Sequence, residues 1–379
     1  MLTNEIQNYI ENHADETYDL LLTLAKIPAP SNDEDKRMNF CKEWLTANHA
    51  EGVYTDSAKN VIYPYNVTDD NPVVIFMAHL DVVFPDTDEL PLKIENGRIC
   101  CPGVGDDTAN LAALLMVAKY VALNKPETDG LGIVFVGDAG EEGMGNLKGS
   151  RKICETYKGR IKEFYSFDGT MSGLLTGAVG SARYKVTVKT KGGHSYSNFG
   201  NRNAIAVISD IIGDIYKIEV PPYGKTSYNV GTIDGGTSVN TIAQEVSMLC
   251  EYRSDDERSL HIMEDKFKKI FDAHSDDEAS VAVELVGLRP CESMDEESKK
   301  RKDELVEEAT QLLERITGRE VHSGPASTDC NIPLSQGIPA VCFGTYFGAG
   351  AHTREEYVEI DSLKLGYKVA FESVMKYIK

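Results

Sequence analysis

The run VVIFMAHLD, residues 73–81, is apolar at consecutive positions and then stops abruptly at His79 and Asp81. A strand that is apolar on both faces has to be covered on both faces, which is the situation of a central strand in a parallel sheet. Comparable runs recur at 131–136 and 163–167, with a helical pattern at 107–123 between the first two. Helical periodicity also marks 6–25 and 33–48, separated by Pro28 and Pro30. Strands alternating with helices predict an α/β fold, a mostly parallel sheet flanked by helices.

The pattern changes near residue 179. Strand-like runs at 182–189, 227–233, 246–252 and 280–288 interleave with helical stretches at 203–218 and 256–274. The order β-α-β-β-α-β is that of a ferredoxin-like α+β unit. A long helix at 297–316 and a short strand at 339–343 follow it. With 379 residues the chain is long for one core. The expected organisation is a larger domain made of residues 1–178 and 290–379, with residues 179–289 inserted into it as a smaller one.

Charge narrows the partners. The chain carries 60 acidic against 39 basic residues, a net charge of -21, with no basic cluster. Neither nucleic acid nor an anionic membrane is an expected partner, because both are bound through concentrated Lys and Arg. The longest apolar stretch, 111–123, is interrupted by Lys119 and is too short to span a bilayer. The N-terminal segment MLTNEIQNYIENHADE lacks the basic start and apolar centre of a signal peptide. Eight cysteines without a CxxC pair read as reduced, mostly buried thiols. Together these features predict a cytoplasmic protein.

The residues able to do chemistry fall at or just after the ends of predicted strands, where α/β enzymes place their sites. Asp81 lies close enough to His79 to accept a hydrogen bond from the second ring N–H and so fix its tautomer. In CPGVGDDTANLAALL, Asp106 and Asp107 stand at the mouth of a helix. One suffices as a cap, and the other is able to face or bridge cations. Glu141 and Glu142 follow a buried strand in a glycine-rich loop; Asp168 follows the run EFYSF, and His352 lies late, in GAGAHTREEYVEI. Each has an ordinary structural alternative: a turn carboxylate, a helix cap, a pair of exposed glutamates, a surface histidine. Their joint placement after successive strands argues for convergence. Two imidazoles and several carboxylates would hold two zinc-type ions and leave one carboxylate free as a base, which reads as a metal-dependent hydrolase.

The order HxD, GDD, EEG, a strand ending in Asp and a late His resembles the co-catalytic metallopeptidase family of peptidase T, carboxypeptidase G, acetylornithine deacetylase and succinyl-diaminopimelate desuccinylase. The likeness covers nearly the whole chain and implies a zinc exopeptidase-like catalytic domain with an inserted lid and dimerisation domain. It implies two Zn2+ per chain, replaceable by Co2+ or Mn2+. His79 and Asp168 would hold one ion, Glu142 and His352 the other, and Asp106 would bridge them. Asp81 would orient His79, and Glu141 would be the general base. The resemblance also implies a cis peptide between Asp106 and Asp107. One departure is that the family often reads DDKG or DMKG where this chain has DDTAN, so Thr108 and Ala109 replace Lys and Gly.

Within the inserted domain, KGGHSYSNFGNRNAI places His194 where related enzymes have a histidine that enters the partner subunit's active site and steadies an oxyanion. GGTSVNTIAQE and EYRSDDE place Asn240 and Arg253 at positions suited to a substrate carboxylate, with Glu251 replacing the usual aspartate. The implied function is hydrolysis of an amide or peptide bond in small substrates with a free carboxylate. An exopeptidase acting on short peptides, closest to peptidase T, is the first reading, and an N-acyl amino acid amidohydrolase the second. A non-catalytic peptide- or metal-binding homologue is the alternative from another class, although the base and all five ligands are present. A dinucleotide site is disfavoured because GVGDDTA lacks the third glycine of GxGxxG. The expected assembly is a homodimer through the inserted domain.

Overall fold

The computed structural model describes residues 2–379. Four parallel strands form the centre of an eight-stranded sheet, in the spatial order Gly132–Asp138, Val73–His79, Ile161–Ser166, Ala340–Phe343. Every residue of the first two is buried, which accounts for their uninterrupted apolar runs. Antiparallel strands flank this centre: Val61–Tyr65 pairs with Gly132–Asp138, and Gly173–Ala178 pairs with Ala340–Phe343. Tyr54–Thr55 and His322–Ala326 are the outermost strands. Pro64 hides Val61–Tyr65 in the sequence. It is tolerated because Tyr54–Thr55 reaches only Val61 and Ile62, so the outer side of the strand is unpaired at Pro64.

The helix Asn110–Asn124 is buried through most of its length and lies against Val73–His79, with Leu363–Met375 packed beside it. A helix apolar nearly all round belongs in the core, not on a surface. The N-terminal periodicity resolves into two helices, Asn4–Asn12 and Ala14–Lys26, joined at His13. A small separate sheet of Lys93–Glu95, Arg98–Cys100, Tyr357–Glu359 and Gly348–Ala349 was not foreseen. It matters for the site, because Tyr357 pairs with Cys100 and so brings the segment after His352 beside the GDD loop.

The chain divides into two compact units, Met1–Gly177 with Ser293–Lys379, and Ala178–Glu292. The second is an antiparallel sheet in the order Thr226–Gly235, Glu245–Ser254, Gly180–Thr190, Ala279–Arg289, covered by helices Ala204–Ile215 and Glu257–Ala273. That is the expected ferredoxin-like order, and it has its own core around Val186, Ile208, Met248 and Phe267. No helix among the described residues is long and apolar enough to cross a membrane.

Candidate metal centre

Parallel strands finish at a common edge, and this edge places His79 beside Asp138 and Met77 beside Ser166. The loops leaving it carry Glu141, Glu142 and Asp168. Ligand atoms of His79, Asp106, Asp107 and Asp168 all lie within 4.8 Å of one another, and so do those of Asp106, Glu142 and His352. A third such group is His79, Glu141 and Glu142. Asp106 belongs to the first two. Its Oδ1 is 3.1 Å from His79 Nε2 and its Oδ2 is 3.2 Å from His352 Nε2. His352 Nε2 is also 2.8 Å from Glu142 Oε1.

His79 Nδ1 donates to the backbone carbonyl of Asp81 at 2.9 Å, which leaves Nε2 turned toward Asp106, as an N–H donor while the ring is charged and as a lone pair once that proton is lost. The Asp81 carboxylate itself is 3.7 Å from that nitrogen, which corrects the expected carboxylate-to-imidazole bond. The reason is that the carboxylate is already saturated elsewhere. Its Oδ1 accepts the N–H groups of Gly140 and Glu141, both at 3.0 Å, and its Oδ2 accepts Glu142 N–H at 3.0 Å and Ser31 Oγ–H at 2.6 Å. Asp81 therefore anchors the backbone of the glutamate loop.

Asp107 has a comparable task. Its Oδ2 accepts the backbone N–H of His79 at 2.8 Å and its Oδ1 accepts from the Asn110 side chain at 2.6 Å. The peptide between Asp106 and Asp107 is cis. Glu356 accepts the backbone N–H groups of Gly103, Gly105 and Asp106. Thr108, at the position where related sequences often carry lysine, donates to the Gly103 carbonyl and accepts from Arg37 Nη1 at 3.2 Å. Arg37 is fully buried and also donates to the carbonyls of Leu80 and Ile27, tying the end of the HxD strand to the segment after the first two helices. Sequence reasoning missed Arg37, Asn110 and Glu356. Only Glu356 left a trace, in its nearness to His352.

The electrostatics follow from burial set against mutual pairing. Burial opposes a charge on His79, but Asp107, Asp106 and Asp81 outweigh it and hold the imidazole well above its usual range. Hydrogen bonds to Asp106 and Glu142 lift His352 to about 10. Burial works against ionisation of Asp106, yet hydrogen bonds from His352 and His79 hold it well below the ordinary carboxylate range. Burial and the Asp106 charge push Asp168 up to about 6. Burial also takes Glu356 up to about 7, against the pull of its backbone donors. The carboxylates thus demand positive charge at two points, and the imidazoles meet that demand as imidazolium. Donors of only oxygen and imidazole nitrogen, turned toward one shared carboxylate, fit divalent cations of the zinc type.

In the second unit, His194 lies in the short strand Gly193–His194, paired with Thr241–Ile242. Its Nδ1 accepts the N–H groups of Tyr196 and Ser197 at 3.2 and 3.3 Å. Asn240 is adjacent, its carbonyl accepting Ser195 N–H at 2.9 Å. Arg253 is elsewhere. Its Nε and Nη2 hold Glu251 at 2.8 and 3.2 Å, and Arg183 shares that glutamate. Asn240 precedes the Glu245 end of the strand Glu245–Ser254, and Arg253 lies roughly 26 Å along it at ~3.3 Å per residue. The structure of one chain thus keeps apart the pair expected to grip a carboxylate together, and the Arg253 fork is engaged by Glu251.

A model of "Peptidase family M20/M25/M40" matches residues 75–376. A succinyl-diaminopimelate desuccinylase of Psychrobacter arcticus is 25% identical over 385 residues, covering 93% of this chain and 92% of that protein. Among solved structures, the aminopeptidase PepT of Bacillus cereus superposes with a TM-score of 0.71 at 20% identity, over 96% of this chain and 98% of that one. A tripeptidase of Staphylococcus aureus gives 0.73 at 22% identity, with coverage of 96% and 98%. At those identities the two structures attest the fold.

Proposed function

Because the chain belongs to the peptidase family M20/M25/M40, we propose that it is a two-metal hydrolase cutting an amide or peptide bond in small substrates with a free carboxylate, an exopeptidase of the peptidase T kind. The observation that carries this reading is the sharing of Asp106, whose two oxygens face His79 and His352 at 3.1 and 3.2 Å. A carboxylate turned to two donor sets suits a pair of divalent ions.

His79, Asp168 and Asp106 would hold one Zn2+, and Glu142, His352 and Asp106 the other, with Co2+ or Mn2+ able to substitute. The bound pair would supply Lewis acidity, acidifying a water molecule and polarising the scissile carbonyl. Glu141 is the general base. It is 5% exposed and offers an oxygen within 4.8 Å of the ligand atoms of His79 and Glu142, so it can take the proton of the attacking water and hand it to the departing amine. Asp81 keeps that glutamate aimed by holding its backbone N–H. Because Nδ1 of His194 accepts backbone N–H groups, its neutral ring carries the proton on Nε2, a donor suited to an oxyanion.

Residues 1–178 and 290–379 would form the catalytic domain, and 179–289 a lid through which two chains pair. Asn240 and Arg253 would grip one substrate carboxylate only if they came from different chains, which a homodimer would allow, with His194 reaching the partner's site. A cytoplasmic location accords with eight free cysteines. The desuccinylase relative favours a second reading, removal of an acyl group from an amino acid by the same machinery. A panel of di- and tripeptides and N-acyl amino acids, run on metal-free and zinc-restored protein, separates the two. No metal-dependent turnover of any member would defeat both.

A further inference from the structure

We propose that Glu356 is a positioning residue that sets Asp106 against His352 and so fixes the span across which the two metal ions are held. The inference rests on the reading of Asp106 and His352 as ligands. Glu356 is 1% exposed. Its Oε1 accepts the N–H groups of Gly105 and Asp106 at 2.8 and 2.7 Å, and its Oε2 accepts that of Gly103 at 2.6 Å. Backbone N–H groups converging this way form an anion-binding concavity. Here the anion is a side chain of the same protein, and one of the three donors is the N–H of the shared ligand itself.

The other end of the clamp is equally fixed. The Glu356 carbonyl accepts Cys101 N–H at 3.2 Å, and the next residue, Tyr357, pairs with Cys100. Four residues upstream, His352 sits at φ 65°, a left-handed conformation that side chains other than glycine rarely adopt. Its turn is closed locally by Thr353, whose N–H and hydroxyl both reach the Gly350 carbonyl, at 2.9 and 2.7 Å. That closure does not locate the turn relative to Asp106, which is remote from it in the chain. Glu356 does, because its main chain belongs to the His352 segment and its carboxylate to the Asp106 loop. Asp81 shows the same device, one buried carboxylate accepting three N–H groups of the glutamate loop. The two clamps between them fix the backbone carrying Asp106, Glu141 and Glu142.

Glu356→Gln keeps an acceptor oxygen but turns an amide NH2 toward either Gly103 N–H or the Gly105 and Asp106 pair, and Glu356→Ala removes the acceptor. The test is competition of apo protein against a chromophoric zinc chelator, together with the visible spectrum of the Co2+ form and separate kcat and KM values. Loss of a group that orients a ligand typically costs 10–100-fold in metal affinity. That loss is expected for Glu356→Gln and a larger one for Glu356→Ala, with an altered Co2+ spectrum, a lower kcat and a KM within a few-fold of wild type. Two equivalents bound with wild-type affinity and spectrum in both variants would overturn the assignment. Unfolding of both variants would also overturn it, making Glu356 a general structural residue. Absence of metal binding in the wild-type protein would instead bring down the ligand reading first, and this inference with it.

Discussion

Replacing Asp81 by Asn distinguishes an anchor for the glutamate loop from an orienter of His79. The carboxylate accepts four hydrogen bonds, two on each oxygen. An amide offers one oxygen, so one pair must face an NH2 group. Turning the NH2 toward Gly140 and Glu141 would strand two N–H donors, whereas turning it toward Ser31 and Glu142 strands one, because the Ser31 hydroxyl can rotate and accept. The second arrangement wins, leaving Glu142 N–H without an acceptor in a site where Asp81 is fully buried. An unsatisfied buried donor costs about 1–3 kcal/mol. Spent on the loop that carries Glu141, the proposed base, this corresponds to a fall in kcat/KM of roughly 5–150-fold at 1.36 kcal/mol per decade. His79 keeps its bond to the Asp81 carbonyl in the variant, so the ion that His79 and Asp168 would hold should bind as before. Steady-state kinetics with calorimetric zinc titration of the apo protein reads both quantities. Unchanged kcat/KM with a weakened first zinc equivalent would refute the anchoring role and restore the carboxylate-to-imidazole reading.

Glu141→Gln should retain two metals per chain, measured by elemental analysis, while turnover falls by about 10²–10⁴-fold, the usual worth of a positioned acid–base group. His194→Ala should lower kcat by about 10²–10³-fold with metal content intact, the scale of losing one oxyanion donor; a full-rate variant would remove His194 from that role. Glu163 tests the fold away from the site. It is buried, accepts from Arg301 Nη2 at 2.7 Å and is hydrogen-bonded by Tyr377, and despite burial these donors hold its pKa below the ordinary carboxylate value. A depressed folded pKa contributes stability that is present above the unfolded value of ~4.3 and is lost as pH falls through the lower folded one. Glu163→Gln should therefore cost about 1–3 kcal/mol at neutral pH, from the hydrogen bonds to the charged group, and flatten that acid limb in urea titrations. An unchanged limb would contradict the pairing.

Much of the larger unit was legible because central parallel strands write their burial directly into the sequence. Val73–His79 and Gly132–Asp138 are buried at every position, and their apolar runs showed it. The antiparallel strands that flank this centre are harder to read: Gly173–Ala178 is only partly buried and glycine-containing, and Val61–Tyr65, although largely buried, is masked by Pro64. The family likeness gathered His79, Asp106, Glu142, Asp168 and His352, and the structure brings them to one edge of the sheet. The groups that support them were mostly invisible. Asp81 was identified, but its true partners are backbone N–H groups about 60 residues away, which no side-chain pattern encodes. Arg37 was missed because arginine is normally a surface residue and nothing local announces its burial. Arg253 was expected to stand open for a substrate, yet Glu251, two residues before it on one face of its strand, occupies the guanidinium fork.

The central claim is that one carboxylate, Asp106, serves two metal ions. Anomalous diffraction from zinc-loaded crystals, recorded at the zinc edge, tests it most directly. Two peaks per chain are expected, one contacted by His79 and Asp168 and the other by Glu142 and His352, with one oxygen of Asp106 on each. A single peak, or two peaks that Asp106 does not join, would contradict it.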